Sequence, residues 1–405
     1  MRLYALAVLF PVVVSAQTSL SLRDAVSEAI SRHPMLTAGT ERVAVSEGLR
    51  RQASQRPNPK MYLQVENVRA QGQPGFVYGR DADSYAYMSQ VIETAGKRDR
   101  RIDTASESVR RAELERELLA RQLAFRVKQA YWSAAGAQKI HELLVESSKT
   151  FQQVVEYHER RVQEGAMAEA DLLRVRVEAE RLAISANSAA LDAERARIQL
   201  FREMGRTEFG DVRLSDTVED TAPFEGTIDA AQALNERIDV KIAQQAVAQA
   251  RAALRLEQAG AKPNVDLLAG YKRAAGFNTV LGGVQVELPF SNRNQGNISA
   301  AEAEVRSAQA SLAATEATVR AEVRSAESEY TLRRRQLLET LSVLRSHAVE
   351  SSKIALAAYR QGGLDLLRLL DSERVRLDVE ALYYRTLTEY RQSIVSLASA
   401  LGATP

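Results

Sequence analysis

Apolar residues recur along this chain at helical spacing over unusually long stretches. Ile102, Ala105, Val109 and Ala112 step by three and four, as do Leu123, Val127, Ala130, Ala134 and Ala137. The same steps return at Val305, Ala308 and Leu312, and again at Leu337, Leu341, Leu344 and Ala348. This spacing lays one apolar stripe along a helix and reads as a coiled-coil-like seam. Many seam positions are alanine, which allows helices to approach closely, and Arg116 falls on the first seam, so shifts of register are expected there.

Glycine and proline mark where these helices end. No proline lies between Pro74 and Pro223 or between Pro289 and Pro405. From Lys97 to Glu164 the only glycine is Gly136, and none occurs in 166–204, 297–361 or 364–401. At about 1.5 Å per residue, the tracts 97–164 and 297–361 predict helices of roughly 100 Å, and 166–204 and 364–401 predict shorter return helices of roughly 55 to 60 Å. Opposite faces carry mixed charge, as in AELERELLARQ, and read as solvated surface.

Four short segments break the helical rhythm: MYLQVENV, SYAYMSQVIE, VDLLAGY and VLGGVQVEL. Their alternation predicts strands grouped as β-hairpins at 60–93 and 264–289, more weakly in the second, where Gly270, Gly282 and Gly283 intervene. Strands of about 8 to 11 residues suit a tilted crossing of a bilayer.

The order of features occurs twice. A helix from about Ser21 to Gln55 leads into RPNPKMYLQVE, and one from about Asp229 to Ala259 leads into KPNVDLLAGY. SQVIETAGKRDRR is echoed by VQVELPFSNRNQG, and each opens a long helix. The long helices end near glycine, in RVQEGAMAEADLL and YRQGGLDLLRLLD. The chain therefore divides into repeat 1 (17–210), a linker or collar (211–228) and repeat 2 (229–405), each repeat a helix, a hairpin, a long helix and a return helix. The fold class is mainly α with a small β part.

Composition narrows the function classes. With Lys+Arg 54 against Asp+Glu 52, a formal charge of +2 offers no broad basic field for nucleic acid. The absence of cysteine excludes disulfides, thiolate metal centres, thiol catalysis and an acylated N-terminal Cys. Residues 1–16, with basic Arg2, an apolar run and Val14-Ser15-Ala16, form a secretory signal pattern, so the mature chain is exported. No later run is long and apolar enough for a transmembrane helix, so a membrane span would have to be made of strands. Four strands cannot close a barrel within one chain; three copies would supply 12.

At this point the sequence resembles the TolC-like outer-membrane efflux channels over essentially the whole mature chain. The duplicated helix–hairpin–helix plan carries the resemblance, together with ELPFSNRNQGNISAAEAEV at a strand-to-helix junction and YRQGGLDLLRLLDSERVRL at a hairpin tip. TAGKRDRRI is similar to the junction of the cobalt-zinc-cadmium resistance subgroup. The resemblance implies a homotrimer with a 12-stranded barrel in outer-membrane lipid and a periplasmic helical tunnel. Its partners would be a periplasmic adaptor of the membrane fusion type and an inner-membrane efflux pump. It places the junctions at Gly96, Lys97, Arg98, Pro289, Arg293, Asn294, Gln295 and Gly296. The adaptor-facing tips would be Gly165, Ala166 and Met167 with Gly362, Gly363 and Leu364. The family's paired acids at the pore constriction correspond here to Arg368 and Asp371, so only the second acid is present. An acidic ring of three Asp371 and a plain salt bridge with Arg368 are the competing readings.

Other chemistry lacks a residue set. His33, His141, His158 and His347 have no metal-ligand spacing, the methionines are dispersed, and no phosphate-binding or nucleophile-elbow motif occurs. No metal site, cofactor or catalytic residue is expected. Tyr131 and Trp132 read as core packing or a collar contact. Two hypotheses remain: a passive outer-membrane exit duct and, of a different class, a secreted periplasmic coiled-coil scaffold without channel activity.

Overall fold

The computed structural model describes residues 18–71 and 74–403. The signal pattern at 1–16 lies outside the described residues. Residue contacts divide the chain into two compact units that each draw on both repeats. Of the described residues, one gathers 18–34, Ala120–Ala230 and 322–403; the other comprises Met35–Leu119 and Ala231–Ala321.

Elements follow in the order β1 (Thr18–Leu20), α1 (Leu22–Arg32), α2 (Pro34–Ala53), β2 (Lys60–Glu66), α3 (Tyr78–Asp81), β3 (Asp83–Ile92), α4 (Lys97–Gln163) and α5 (Glu169–Met204). Then come β4 (Val212–Leu214), α6 (Ala230–Glu236), α7 (Ile238–Gly260), β5 (Val265–Ala274), β6 (Phe277–Val286) and α8 (Gln295–Arg335). A π-helical turn, Gln336–Leu341, separates α8 from α9 (Ser342–Arg360), and α10 (Leu366–Ala400) follows. Among the described residues, no helix is long and apolar enough to cross a membrane.

Three helices differ from the sequence reading. The leading helix of repeat 1 breaks at His33, held extended (φ −66°, ψ 127°) because Pro34 disfavours helical geometry in the residue before it and itself opens α2. The leading helix of repeat 2 likewise breaks at Arg237, extended at φ −67° and ψ 125°. The long helix expected at 297–361 is interrupted by the π turn, and Leu344, expected on the seam, is 42% exposed.

In the unit made of Met35–Leu119 and Ala231–Ala321, β2, β3, β5 and β6 form one antiparallel sheet in that order. Gly270 belongs in β5 despite its poor propensity, because a side chain there would meet Tyr87 Cβ at 2.4 Å.

The other unit contains a small parallel pair, β1 with β4, absent from the sequence reading. Beside it Tyr131 is fully buried, its hydroxyl 2.9 Å from the Leu20 carbonyl and 2.7 Å from the Asp216 carboxylate. Burial pushes the Tyr131 phenol well above its ordinary range, so it stays a neutral donor. Trp132 is buried under the Arg391 guanidinium, 4.8 Å from the ring centre, and Arg391 pairs with Asp220 at 2.6 Å. Tyr390 donates to the Ala222 carbonyl at 3.1 Å, and the Phe224 amide donates to Tyr330 at 3.0 Å. The linker is thus fastened to α4, α8 and α10 by aromatic residues on the helices.

Candidate functional site: a two-faced sheet and two helix-hairpin tips

Register sorts the sheet's side chains onto two faces, because directly paired residues point the same way. One face carries the rows Leu63, Ala86, Tyr271, Val280 and Met61, Met88, Ala269, Gly282, continued by Leu267 with Val284 and Val265 with Val286. Apart from Gln90 beside Leu267 and the end row Ser84, Arg273 and Asn278, this face is apolar and yet exposed: Val280 is 92% accessible, Leu63 74% and Met61 67%. The opposite face carries Gln64, Tyr85, Lys272, Thr279 and Lys60, Ser89, Leu268, Gly283, with Tyr62 stacked on Tyr87 at 4.9 Å. The edge strands β2 and β6 pair on one side only. An exposed apolar face and two open edges are liabilities in water.

The junction residues tie the strands to helices within the same unit. Gly96 takes φ +67° to start α4, and the Lys97 ammonium donates to the Lys262 carbonyl at 2.5 Å and to Asn264 Oδ1 at 2.7 Å. Arg98 donates to the Ser54 carbonyl at 2.7 Å, just past α2. Arg101, which the sequence reading did not single out, donates to the Ala53 carbonyl at 3.0 Å and grips Glu93. In repeat 2, Asn294 adopts φ 61° and donates to the Glu257 carbonyl (2.8 Å) and carboxylate (2.7 Å), which fixes the start of α8 against α7. Arg293 donates through its backbone to Gln295 Oε1 (2.7 Å) and through Nε to the Pro289 carbonyl (3.2 Å). Gly296 is exposed in the first turn of α8, with nothing within 4 Å of where a Cβ would sit.

The hairpin tips are built alike. Gly165 (φ +69°) and Gly362 (φ +77°) end their helices in left-handed geometry, and the amides of Ala166 and Gly363 reach back to the Arg161 and Ala358 carbonyls, each at 2.9 Å. This is the Schellman arrangement, which glycine permits without a steric penalty. Gly165, Ala166, Gly362 and Gly363 are exposed, while Met167 and Leu364 are half-buried. Asp365 caps α10 by accepting from the Arg368 amide at 2.9 Å. The ion pair Arg368 makes is also with Asp365, at 3.5 Å. Asp371 is exposed and has no ion-pair partner among the described residues.

Close to the tips, Phe151 and Val155 of α4 pack with Leu172, Val175, Ala179 and Leu182 of α5 and Leu366 and Leu377 of α10. His158 is buried beside this core. Its Nδ1 lies 2.8 Å from the Val154 carbonyl, which only accepts, so Nδ1 carries the hydrogen. Nε2 then accepts from the Tyr359 hydroxyl at 2.6 Å, joining α4 to α9. This contact was missed in the sequence because its two members lie 201 positions apart.

The fold defines a mainly helical protein with a short sheet that offers an apolar face outward. The pattern of the outer membrane efflux protein family matches residues 25–206 and 230–403, and the chain belongs to that family. It is an outer-membrane protein and a passive efflux channel, not an enzyme. Among curated proteins it is 24% identical over 386 residues to the cobalt-zinc-cadmium resistance protein CzcC of Cupriavidus metallidurans, covering 95% of this chain and 90% of the relative. Among solved structures it superposes on a membrane protein from Pseudomonas aeruginosa (TM-score 0.79, 19% identity, 94% of this chain and 90% of the other). It also superposes on CusC (TM-score 0.78, 17% identity, 95% and 92%). Those two likenesses establish the fold.

Proposed function

We propose that three copies of this chain join through their sheet edges into a 12-stranded outer-membrane barrel, the exit duct of a tripartite pump. The observation that carries this reading is the two-faced sheet. Its apolar face, headed by Val280, Leu63 and Met61, suits lipid, its polar face suits a water-filled lumen, and its unpaired edges call for further copies. A second feature favours self-association: Val177, Ile184, Leu191 and Ile198 follow at seven-residue steps on α5 and are all exposed. That is the spacing of a seam awaiting another helix. The tips around Gly165–Met167 and Gly362–Leu364 dock on a periplasmic adaptor, which links the duct to an inner-membrane pump. Its likeness to CzcC points to heavy-metal cations as cargo.

Dodecyl-sulfate-resistant trimers in outer-membrane fractions and single-channel conductance in planar bilayers are the expected results. A soluble periplasmic dimer would sink the duct in favour of the coiled-coil scaffold. Deleting the gene should sensitise cells to metal cations; sensitivity to organic compounds alone removes the metal assignment. For the constriction, Asp371→Ala should weaken block by trivalent cations, and unchanged block removes Asp371 from the pore.

A further inference from the structure

Burial along the second long helix shows what the π turn does. Buried positions run Val319, Val323, Ala326, Tyr330 and Leu337, then Leu341, Ala348, Ser352 and Ala355. Two half-buried arginines complete the seam: Arg333, 2.6 Å from Glu389 of α10, and Arg345. Up to Leu337 the steps alternate four and three, and from Leu341 they alternate again. Between Leu337 and Leu341 the step is four where the alternation requires three. The one surplus residue lies inside the π turn Gln336–Leu341. Without it, the seam would continue through Thr340, Leu344, His347, Ser351 and Ile354, bringing in the apolar Leu344 and Ile354 that are now exposed and turning Leu341 and Ala348 out.

The displaced seam puts Arg345 in Leu344's place. The guanidinium lies 4.6 Å from the Tyr383 ring centre and 5.4 Å from that of Tyr384, donates to the Tyr384 hydroxyl at 3.3 Å and pairs with Glu380 at 3.5 Å. Buried Glu380 is also held by Arg376, Arg376 by Glu373 at 3.0 Å, and Glu373 by Ser352 of α9. The Tyr384 hydroxyl donates onward to Glu219 of the linker at 3.1 Å, and burial pushes that phenol up to about 12. Farther along α9, Tyr359 holds His158, beside a cavity of about 270 Å³ lined by Phe151, Val154, Tyr157, Leu356 and Leu370.

We propose that Gln336–Leu341 is a two-state hinge of the duct's gate, with Arg345 as the positioning residue that holds it in the π form. This rests on reading the chain as a gated channel. In the π form Arg345 fastens α9 to α10. When the turn relaxes to regular α-helix, α9 rotates about its own axis by up to about 100°, the rotation of one residue. Leu344 then occupies the seam, Arg345 swings toward solvent, and Ser352 and Tyr359 release Glu373 and His158. The π register is held by a cation with prepared partners and by buried Leu341, Ala348 and Ala355, while the relaxed register offers Leu344 and Ile354 alongside the polar Thr340, His347 and Ser351. Such bistability is what a gate requires.

Two variants push the hinge in opposite directions. Deleting Leu338, a partly exposed residue of the turn, restores the alternation while keeping every flanking seam residue in place, so no second register remains. The trimer and its resting conductance should persist, and efflux in cells should fall about tenfold or more. Arg345→Met removes the clamp, and conductance of the purified trimer should rise about tenfold, the scale of losing a hydrogen-bonded charge. Wild-type efflux in the deletion, wild-type conductance in Arg345→Met, or loss of the trimer in the deletion each overturns the hinge. A wild-type protein that conducts nothing overturns the duct reading itself, and the hinge with it.

Discussion

The long helices of the two repeats begin at equivalent junctions and end at equivalent glycine tips, but they differ between those points. α4 runs uninterrupted for 67 residues, whereas its counterpart is split into α8, a six-residue π turn and α9. The irregularity of α4 is instead a single small residue. At Gly136 a Cβ would fall 2.0 Å from Thr388 Oγ1 and 3.0 Å from Thr388 Cβ, so this glycine marks where α10 crosses against the helix. One repeat accommodates its neighbour by removing a side chain, the other by adding a residue. The first solution has one register and gives a fixed wall; the second stores an alternative register.

Matched edits break or sharpen that contrast. Deleting exposed Glu146 from α4 rotates everything beyond it by about 100° and turns Phe151, Val155 and His158 away from their partners. Heat-resistant trimers should vanish on gels, in contrast to the Leu338 deletion. If both deletions are equally tolerated, the two helices do not differ as described. Next in size, Gly136→Ala should lower stability by about 1–3 kcal/mol through overpacking, read from the denaturation midpoint. Adding Thr388→Ala removes the nearest atom and should recover part of the loss; no recovery would place the strain elsewhere.

The smallest effect concerns the clamp that steadies repeat 1 at the end of its return helix. Arg206 holds the Glu28 carboxylate through two 2.6 Å contacts, and this hydrogen bonding keeps Glu28 below its ordinary value of 4.5. A carboxyl group lowered in the folded state stabilises it at neutral pH, and that contribution is lost as pH falls from about 4.5 through the lowered value. Glu28→Gln should therefore lower the melting point slightly near pH 7, by the equivalent of about 1 kcal/mol or less. The gap to wild type should close on acidification. A gap that widens in acid would reverse the assignment.

Much of the architecture was legible because long-range order here is written locally. The absence of glycine and proline over 166–204 and the three-and-four spacing of Leu123, Val127 and Ala130 are properties of neighbouring residues, and they fix α-helix wherever the chain goes. The alternation in MYLQVENV and SYAYMSQVIE likewise fixed strands, and the glycines at 165 and 362 fixed their turns. A single helix from about Ser21 to Gln55 is what the spacing predicts, whereas Pro34 breaks it at His33. The candidate site was less legible. The lone acid at Asp371 was evident, but not that Arg368 turns to Asp365, its neighbour at the cap.

The sequence by itself determined helix and strand, because those follow from propensity and period within a few turns. Only the tertiary structure decided the register between elements. Leu344 and Arg345 are adjacent, and a spacing rule cannot choose between them; the choice fell to Tyr384, Glu380 and Tyr383, brought across by α10. The same holds for His158 with Tyr359 and for Tyr131 with Asp216, whose members meet only after the chain has folded back. A π turn is locally disfavoured, and it persists here because α10 supplies partners for the shifted face.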